Sequence, residues 1–445
     1  MKQTIQLSDH FGYGRLFRFT MPSILMMIFT SIYGVVDGLF VSNFVGKTPF
    51  TAVNFVTPFL MVVGALGFMF GTGGSALVAK TMGEGKDEKA QRIFSLLVYA
   101  TFLSGVIIAI LSILFIRPIT AFLGAEGELL EQCVLYGRII LIALPFLMLQ
   151  FAFSSLLVTA EKPKMGLYVT VIAGVLNMIG DALFIVVFNW GLVGAALATA
   201  LGQVVGGIIP FIYFASKNTS RLRLCKTGWD GKSMLRICTN GSSELMSNIS
   251  MSLVCMLYNA QLMKFAGEDG IAAYGTIMYV NFIFLSIFIG YATGVAPVIS
   301  YHYGAGNENE LKSLLKKSSV IVLLSAVAMF VISEVLAIPL SDIFVGYDEG
   351  LFNMTVHAFV IHAFSFFFAG IAIFGSAFFT ALNDGPISAL ISFLRTLLFQ
   401  TAAVMIMPLI WELDGIWFST VVAECLAVIV TFIFLIVKRK KYRYW

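Results

Sequence analysis

The stretch GTGGSALVAKTMGEGK, residues 71–86, decides the organisation of the chain, because a related stretch, ATGVAPVISYHYGAGN, occupies residues 292–307. An offset of 221 residues pairs Thr72 with Thr293 and aligns three glycines of the first stretch with glycines of the second. The same offset aligns further identical residues: Phe44 with Phe265, Gly46 with Gly267, Ser155 with Ser376, Thr159-Ala160 with Thr380-Ala381, Trp190 with Trp411, Gly194 with Gly415 and Thr199 with Thr420. We therefore predict an internal duplication.

The composition is that of a polytopic membrane protein. Of the 445 residues, 59% are hydrophobic and only 12% are charged, and the mean hydropathy is +0.93. Apolar runs of about 20 residues, the length that spans a bilayer, recur twelve times between short polar breaks. The predicted spans are 14–43, 51–80, 93–116, 132–160, 166–188, 192–215, 234–264, 272–302, 316–340, 352–382, 386–410 and 414–437.

Six spans per repeat is an even number, so both copies enter the membrane in the same orientation. Such copies are related by an axis along the membrane normal, with a cavity between them. We predict an all-α polytopic membrane protein with twelve transmembrane helices in two six-helix bundles related by pseudo-two-fold symmetry. The long basic connection Ser216–Lys232 lies near the middle of the chain. It divides the chain into an N-terminal lobe, residues 1–225, and a C-terminal lobe, residues 226–445.

Charge along the chain predicts the orientation. Placing the N-terminus in the cytoplasm puts nearly all of the 28 Lys and Arg on that side. The exceptions are Lys47, Arg117 and Lys264 in outer loops, and Arg138 and Arg395 within spans. The positive-inside rule then predicts that both termini are cytoplasmic. The first apolar run has no cleavage site after it, so we expect it to be retained as a helix rather than removed as a signal peptide.

Polar residues inside the spans of the first half point to a cation site. The run Gly166–Phe188 carries Asn177 and Asp181, whose spacing puts them on one helix face. A carboxylate at membrane depth costs roughly 2.5–3.5 kcal/mol on insertion scales, so it needs a partner, a proton or an ion. The helical rise places Asp37 and Thr199 at a similar depth. The set suits either a proton or Na+ held by oxygen atoms. In the structural alternative the carboxylates cap a backbone or bond a tyrosine, and Asn177 and Thr199 bond across helices.

Other polar residues suggest further roles. Pro22 lies fifteen residues before Asp37 and favours a kink in the first span. Glu244, in the seventh span, is either a negative charge in the cavity or a partner of Arg395. For Arg395 the favoured interpretation is that it snorkels to the cytoplasmic face, and a place beside Glu244 in the substrate cavity is the alternative. Glu424 is expected to be structural, bonded within its lobe. Trp190, Trp411 and Trp417 are expected at the outer boundary, and Trp229 and Trp445 at the inner one.

The sequence holds no enzyme motif that withstands inspection. GTGGS at Gly71 lacks the GK[ST] ending of a phosphate-binding loop and lies within a span, where small residues allow close helix packing. His357 and His362 have the wrong spacing for a zinc-protease motif, and the five cysteines show no paired spacing. We therefore predict neither an enzyme nor a cofactor, and transport, if that is the function, must be driven by an ion gradient.

The features that carry a family resemblance are the two repeats, Pro22 with Asp37, the GTGG…GEG segment with its copy, and the Asn177/Asp181 pair followed by GLVGAALATALGQ. With these features the chain resembles the multidrug and toxic compound extrusion (MATE) family over nearly its whole length. The resemblance implies an antiporter, coupled to H+ or Na+, that exports amphipathic and usually cationic compounds by alternating access. By position, Asp37, Asn177, Asp181 and Thr199 match the family's cation site, with Tyr136 as a nearby candidate.

The resemblance also implies a branch of the family, a cellular location and a set of partners. It is closest to the DinF-like and MepA-like members, because the acid that NorM-like members carry in the tenth span is missing from residues 357–382. We therefore expect a single coupling site. The expected protein is a monomer in the bacterial inner membrane, with the bilayer and a small amphipathic substrate as partners and no nucleic acid. A flippase for a lipid-linked precursor, within the same superfamily, is the alternative function.

Overall fold

The computed structural model describes residues 5–445, except for the side chains of Leu39 and Lys47. The position expected for the Lys47 side chain therefore lies outside the described residues. The described chain is helical almost throughout. Its helices are α1 (Tyr13–Phe40), α2 (Lys47–Gly83), α3 (Asp87–Phe122), α4 (Gly127–Thr159), α5 (Pro163–Asp181), α6 (Gly191–Ala215), α7 (Gly231–Gly304), α8 (Glu308–Val345), α9 (Glu349–Ala363), α10 (Phe366–Ala381), α11 (Gly385–Phe393), α12 (Gln400–Ile406) and α13 (Pro408–Tyr442). Three π-helical turns follow α1, α5 and α11: Val41–Val45, Ala182–Val187 and Leu394–Phe399.

These elements give the twelve predicted spans. Helix α7 is 74 residues long, about 110 Å at the helical rise, which is far more than the ~30 Å hydrocarbon core of a bilayer. It breaks at Gly267, whose φ of 64° and ψ of −148° are not helical, and so forms two spans. Helices α9 and α10 meet at a bend of 47° and form one broken span. Helices α11 and α12, with the π turn between them, form one continuous span, Gly385–Ile406.

Both α1 and α13 have their terminal ends at the same face, which we call the basic face because most Lys and Arg lie there; the opposite face is the acidic face. On the basic face the two lobes exchange packing. Leu16 at the start of α1 is buried in a cluster with Leu314 of the C-terminal lobe. Ile237 at the start of α7 is buried in a cluster with Phe94 of the N-terminal lobe. The duplication pairs Leu16 with Ile237, so the exchange follows the pseudo-two-fold axis.

Glycines let the lobes touch at the basic face. A Cβ at Gly83 would collide with the carbonyl oxygen of Tyr301, and a Cβ at Gly304 with that of Lys80. The 221-residue offset makes Gly83 and Gly304 equivalent, so this crossing lies at the axis. Side chains at these positions would force the helices apart, and the basic face is closed because they are glycines.

Two symmetry-related crossings lie deeper in the interface. A Cβ at Gly73 would collide with the Ile237 carbonyl oxygen and crowd Gly241, and one at Gly294 would come 3.0 Å from Thr20 Cβ. The repeat relates Gly73 to Gly294. The prediction that the GTGG segment serves helix packing is therefore confirmed. The prediction that Trp417 is an interfacial anchor is wrong, because its side chain is buried in the C-terminal lobe and only 3% exposed.

Candidate functional site

Side chains from α1, α5 and α6 meet in the N-terminal lobe, as the depth argument predicted. Thr199 Oγ1 donates a hydrogen bond to Asp37 Oδ1 at 3.3 Å. Asn177 Nδ2 lies 3.5 Å from Thr199 Oγ1, as a weak donor to it. Three helices therefore contribute one polar side chain each to a connected cluster, and the fourth member, Asp181, lies one turn beyond Asn177 on α5.

Asp181 is the least satisfied member of the cluster. Its side chain has no exposed surface, and neither Oδ1 nor Oδ2 receives a hydrogen bond from a donor group in the described part of the chain. Its carboxyl group instead faces that of Asp37, close enough for a hydrogen bond if one of the two is protonated. Asn177 Oδ1 is also buried without a donor. Two facing carboxylates without a cationic neighbour repel each other, so the arrangement requires a shared proton or a bound cation.

Small residues set the approach of the three helices. A Cβ at Gly174 would collide with the rings of Phe29 and Tyr33, so this glycine lets α1 lie against α5. Gly180 of α5 has the same role toward α6, where a Cβ would come 2.9 Å from Ala198 Cβ. These glycines therefore allow α1, α5 and α6 to pack closely, which brings Asp37 and Asp181 together.

A π-helical turn follows each carboxylate. Val41–Val45 begins one turn after Asp37, and Ala182–Val187 begins directly after Asp181. Such turns are frequent at functional sites, because the widened turn re-aims the backbone and leaves carbonyl groups without their usual partners. The sequence pattern alone gave no sign of these two turns.

Two tyrosines border the cluster. Tyr136 of α4 is buried, and its hydroxyl lies near Thr199 and both carboxylates. Tyr33 precedes Asp37 by one helical turn on α1 and lies in its electrostatic field. Sequence reasoning missed Tyr33, although its i,i+4 spacing to Asp37 was a signal that could have found it.

The C-terminal lobe holds an uncharged counterpart of this cluster. The repeat places Tyr258 where the first lobe has Asp37, and Thr420 where it has Thr199. The Tyr258 hydroxyl donates to Gln400 Oε1 at 2.9 Å and lies 3.0 Å from Thr420 Oγ1. The ring of Tyr274 stacks on that of Tyr258 at 5.1 Å. The copy is neutral and its central hydroxyl is satisfied, so it needs no cation.

The prediction that Arg395 snorkels is wrong. Arg395 lies in the π turn Leu394–Phe399 and bonds Glu424 of α13 through Nε, at 3.0 Å to Oε1 and 2.8 Å to Oε2. Its side chain is 14% exposed and that of Glu424 is 6% exposed, because an ion pair within the lobe satisfies both charges better than a stretched arginine would. The structural role expected for Glu424 is confirmed. Glu244 interacts with Arg395 only electrostatically.

Two further predictions, the kink at Pro22 and the binding of Na+ or a proton, stay predictions. Pro22 lies inside α1, between Thr20 and Ile24, which contact the glycines of α7. Its part in bending α1 remains a prediction. Among the described residues there is no group of three His, Cys, Asp or Glu arranged to hold a metal ion. The oxygen donors of the cluster in the N-terminal lobe are two carboxylates, an amide and a hydroxyl, a set that fits Na+ as well as a proton.

Comparison with known proteins gives the family. The MatE family model matches residues 22–183 and 245–405, one segment in each half of the chain. The multidrug export protein MepA of Staphylococcus aureus strain N315 is 24% identical over 416 residues, which are 92% of this chain and 90% of that protein. MepA of Staphylococcus haemolyticus strain JCSC1435 is 27% identical over 320 residues, 71% of this chain and 70% of that protein.

Solved structures share the fold over the whole chain. A crystal structure of MATE in complex with MaL6 has a TM-score of 0.94, 22% sequence identity and coverage of 100% of both chains. An outward-facing structure of a multidrug resistance MATE family transporter has a TM-score of 0.93, 21% identity and the same coverage. These matches establish the two-lobed architecture of a multi-pass membrane protein. Because the family model covers well over half of the chain, the protein belongs to the MatE family.

Proposed function

We propose that the protein is an antiporter that exports amphipathic, cationic compounds in exchange for H+ or Na+ bound at Asp37 and Asp181. The observation that carries the proposal is that the buried carboxyl of Asp181 faces the partly buried carboxyl of Asp37, with no cationic side chain beside them. A proton or Na+ that enters cancels their repulsion, and one that leaves restores it. The relatives named as multidrug export proteins support the class of substrate.

We propose that the basic face is cytoplasmic and that the protein lies in the plasma membrane of a bacterium. The positive-inside rule supports this orientation. We place the boundary between the lobes at residues 225/226. The backbone N–H of Cys225 donates to Ser95 Oγ of α3 at 2.9 Å, whereas Asp230 Oδ1 already caps the first turn of α7. The connection is thus held by the N-terminal lobe up to Cys225.

In the proposed cycle the cluster takes up its cation while the basic face is closed. Neutralising Asp37 relieves its repulsion from Asp181, so α1 changes its packing near Pro22 and the bound compound is released. Loss of the cation on the cytoplasmic side returns the protein to the loading state. Each charge that moves inward supplies about 2.3 kcal/mol per 100 mV of membrane potential. No ATP site is required.

Glu244 is the proposed contact for a cationic group of the substrate. It lies one turn from Gly241, which contacts α2 where the lobes meet, and it is only partly buried. We propose that it faces the space between the lobes. Arg395 is already bound by Glu424, so the three side chains together carry one uncompensated negative charge. A cationic compound entering the cavity would balance that charge.

The test is efflux from proteoliposomes. A fluorescent lipophilic cation is loaded, and a proton gradient or a Na+ gradient is imposed separately on the wild type, on Asp181→Asn and on Asp342→Asn. The last variant removes an exposed carboxylate of α8, far from the site, and serves as the matched control. We expect one of the gradients to drive efflux in the wild type and the control, and neither to do so in Asp181→Asn.

Two outcomes contradict the proposal. Efflux that persists in Asp181→Asn at the wild-type rate would remove the cluster from the coupling step. No efflux under either gradient, with correctly inserted protein, would favour translocation of a lipid-linked precursor over drug export.

A further inference from the structure

The segment before the first helix lies across the basic face and touches both lobes. We call residues 5–12 the N-terminal strap. The backbone N–H of Leu7 donates to Glu161 Oε1 at 2.8 Å, in the turn between α4 and α5 of the N-terminal lobe. The backbone N–H of Phe11 donates to Glu310 Oε1 at 2.9 Å, in the first turn of α8 of the C-terminal lobe. Two carboxylates, one from each lobe, therefore hold the strap.

The attachment to the C-terminal lobe has several parts. His10 Nδ1 lies 2.6 Å from Glu310 Oε2, so both oxygens of that buried carboxyl are occupied by the strap. Lys317 Nζ donates to the Phe11 carbonyl oxygen at 2.5 Å. The Phe11 ring lies edge-on to His302, with 6.5 Å between ring centroids. If the strap left, Glu310 would lose both partners, which opposes its release on this side.

The strap is packed as core rather than as a surface tail. Leu7 and Phe11 have no exposed surface. They belong to one hydrophobic cluster that also contains Leu314 of the C-terminal lobe and Val158 of the N-terminal lobe. Separating the lobes at this face would expose these two side chains to water, in addition to breaking the hydrogen bonds.

The strap is continuous with the helix that carries the proposed coupling site. Helix α1 begins at Tyr13, passes Gly294 and Gly290 of α7, and reaches Asp37 about 36 Å further along. A rearrangement of α1 is thereby linked mechanically to the strap. The contact with Glu161 is a single hydrogen bond, whereas the contact with the C-terminal lobe has several, so the Leu7–Glu161 contact is where the strap would part.

We propose that the N-terminal strap is a latch that holds the two lobes together on the basic face, and that opening of this face requires Leu7 to leave Glu161. The link to transport rests on the proposed function; the latch itself rests on the contacts above. Its test therefore measures opening of the face, without any gradient or substrate.

A native cysteine reports this opening. Cys238 of α7 packs against the core of the N-terminal lobe, one turn before Gly241, where it is only partly exposed, and its exposure should increase when the lobes part. Cys133 is fully buried inside the N-terminal lobe and becomes accessible only on unfolding. A full-length variant that keeps these two cysteines and replaces the other three is purified in detergent and treated with a charged maleimide.

We expect Glu161→Ala and Phe11→Ala each to raise the labelling rate of Cys238 about tenfold, while Cys133 stays unlabelled. Glu161→Gln should stay near the parent rate, because its amide oxygen still accepts the Leu7 N–H. Glu308→Ala is the matched control: Glu308 pairs with Arg443 within the C-terminal lobe and does not hold the strap.

The latch is overturned if both Glu161→Ala and Phe11→Ala label Cys238 at the rate of the parent and of Glu308→Ala. It is also overturned if Glu161→Gln labels as fast as Glu161→Ala, since the charge and not the hydrogen bond would then matter. Labelling of Cys133 in one alanine variant marks unfolding, and the other variant then decides. None of these outcomes depends on whether Asp37 couples transport.

Discussion

At the scale of single residues, the protein treats two buried acids in opposite ways. Glu424 is neutralised by both of its hydrogen bonds from Arg395. Asp181 is equally buried, and the side chain that its carboxyl faces is another carboxyl, that of Asp37. The first arrangement is a structural ion pair, and the second is incomplete until a cation or proton joins it. This contrast separates a residue that stabilises the fold from one suited to exchange.

The ion pair gives a stability prediction. Arg395→Leu should destabilise the protein by about 3–5 kcal/mol, because it leaves the Glu424 carboxylate buried without a partner. The double variant Arg395→Leu with Glu424→Leu should recover most of this loss, since no charge remains. Thermal unfolding of the purified variants measures both. A double variant as unstable as the single one would show that the pair acts through packing rather than charge.

The repeat supplies a matched pair of variants for the cluster. Thr199→Val removes the donor to Asp37 and should change the apparent affinity for the coupling cation about tenfold, the effect of losing one hydrogen bond to a charged group. The affinity should rise if the cation is H+, because the lost bond stabilised the carboxylate form, and fall if it is Na+, which loses a hydroxyl ligand. Thr420→Val makes the same change beside Tyr258 and should leave that affinity unchanged. The dependence of efflux on H+ or Na+ concentration measures both. Equal effects of the two variants would contradict the assignment of coupling to the N-terminal lobe.

At the scale of elements, the glycines that the repeat aligns fall into two groups. Gly46 and Gly267 have φ of 117° and 64°, and Gly85 and Gly306 have 74° and 67°, so each pair serves a turn that other residues rarely adopt. Gly83 and Gly304 are helical and serve the crossing at the axis instead. The alignment of the two repeats found both groups of glycines but could not distinguish them. Only the backbone geometry shows whether a glycine is needed for a turn or for a close helix crossing.

The crossing predicts a variant that opens the basic face. Gly83→Ala should place a methyl group against the Tyr301 carbonyl oxygen, at a cost of about 1–3 kcal/mol to the closed state. Export should fall about tenfold while the protein remains folded. Gly34→Ala, at a helical position on α1 with open space around it, is the control and should export normally. Normal export by Gly83→Ala would show that the face does not need to close this tightly.

The sequence predicted the elements better than their irregularities. Twelve spans and their order followed from hydropathy, and the four polar residues of the cluster followed from depth and spacing. The π turns, the break between α9 and α10 and the attachment of the strap did not, because each depends on contacts between distant segments. Arg395 was misjudged for the same reason: its partner Glu424 lies 29 residues away on another helix.

At the scale of the whole molecule, the two lobes share a fold but not a chemistry. The N-terminal lobe keeps a charged cluster, and the C-terminal lobe has a neutral, hydrogen-bonded tyrosine in the equivalent place. In the proposed cycle the pseudo-symmetry supplies two bodies that would rock against each other at glycine crossings, and the asymmetry would confine the coupling step to one of them. The account therefore predicts a single coupling site per protein.

The most direct measurement is cation release on substrate binding. Tetraphenylphosphonium is added to purified protein in weakly buffered solution, and released protons are recorded with a pH dye, or displaced Na+ with a radioactive tracer. The account predicts roughly one cation released per wild-type protein, because the two carboxyls share one site, and none from Asp37→Asn. Release from Asp37→Asn equal to that of the wild type, or substrate binding to the wild type without any release, would contradict the account.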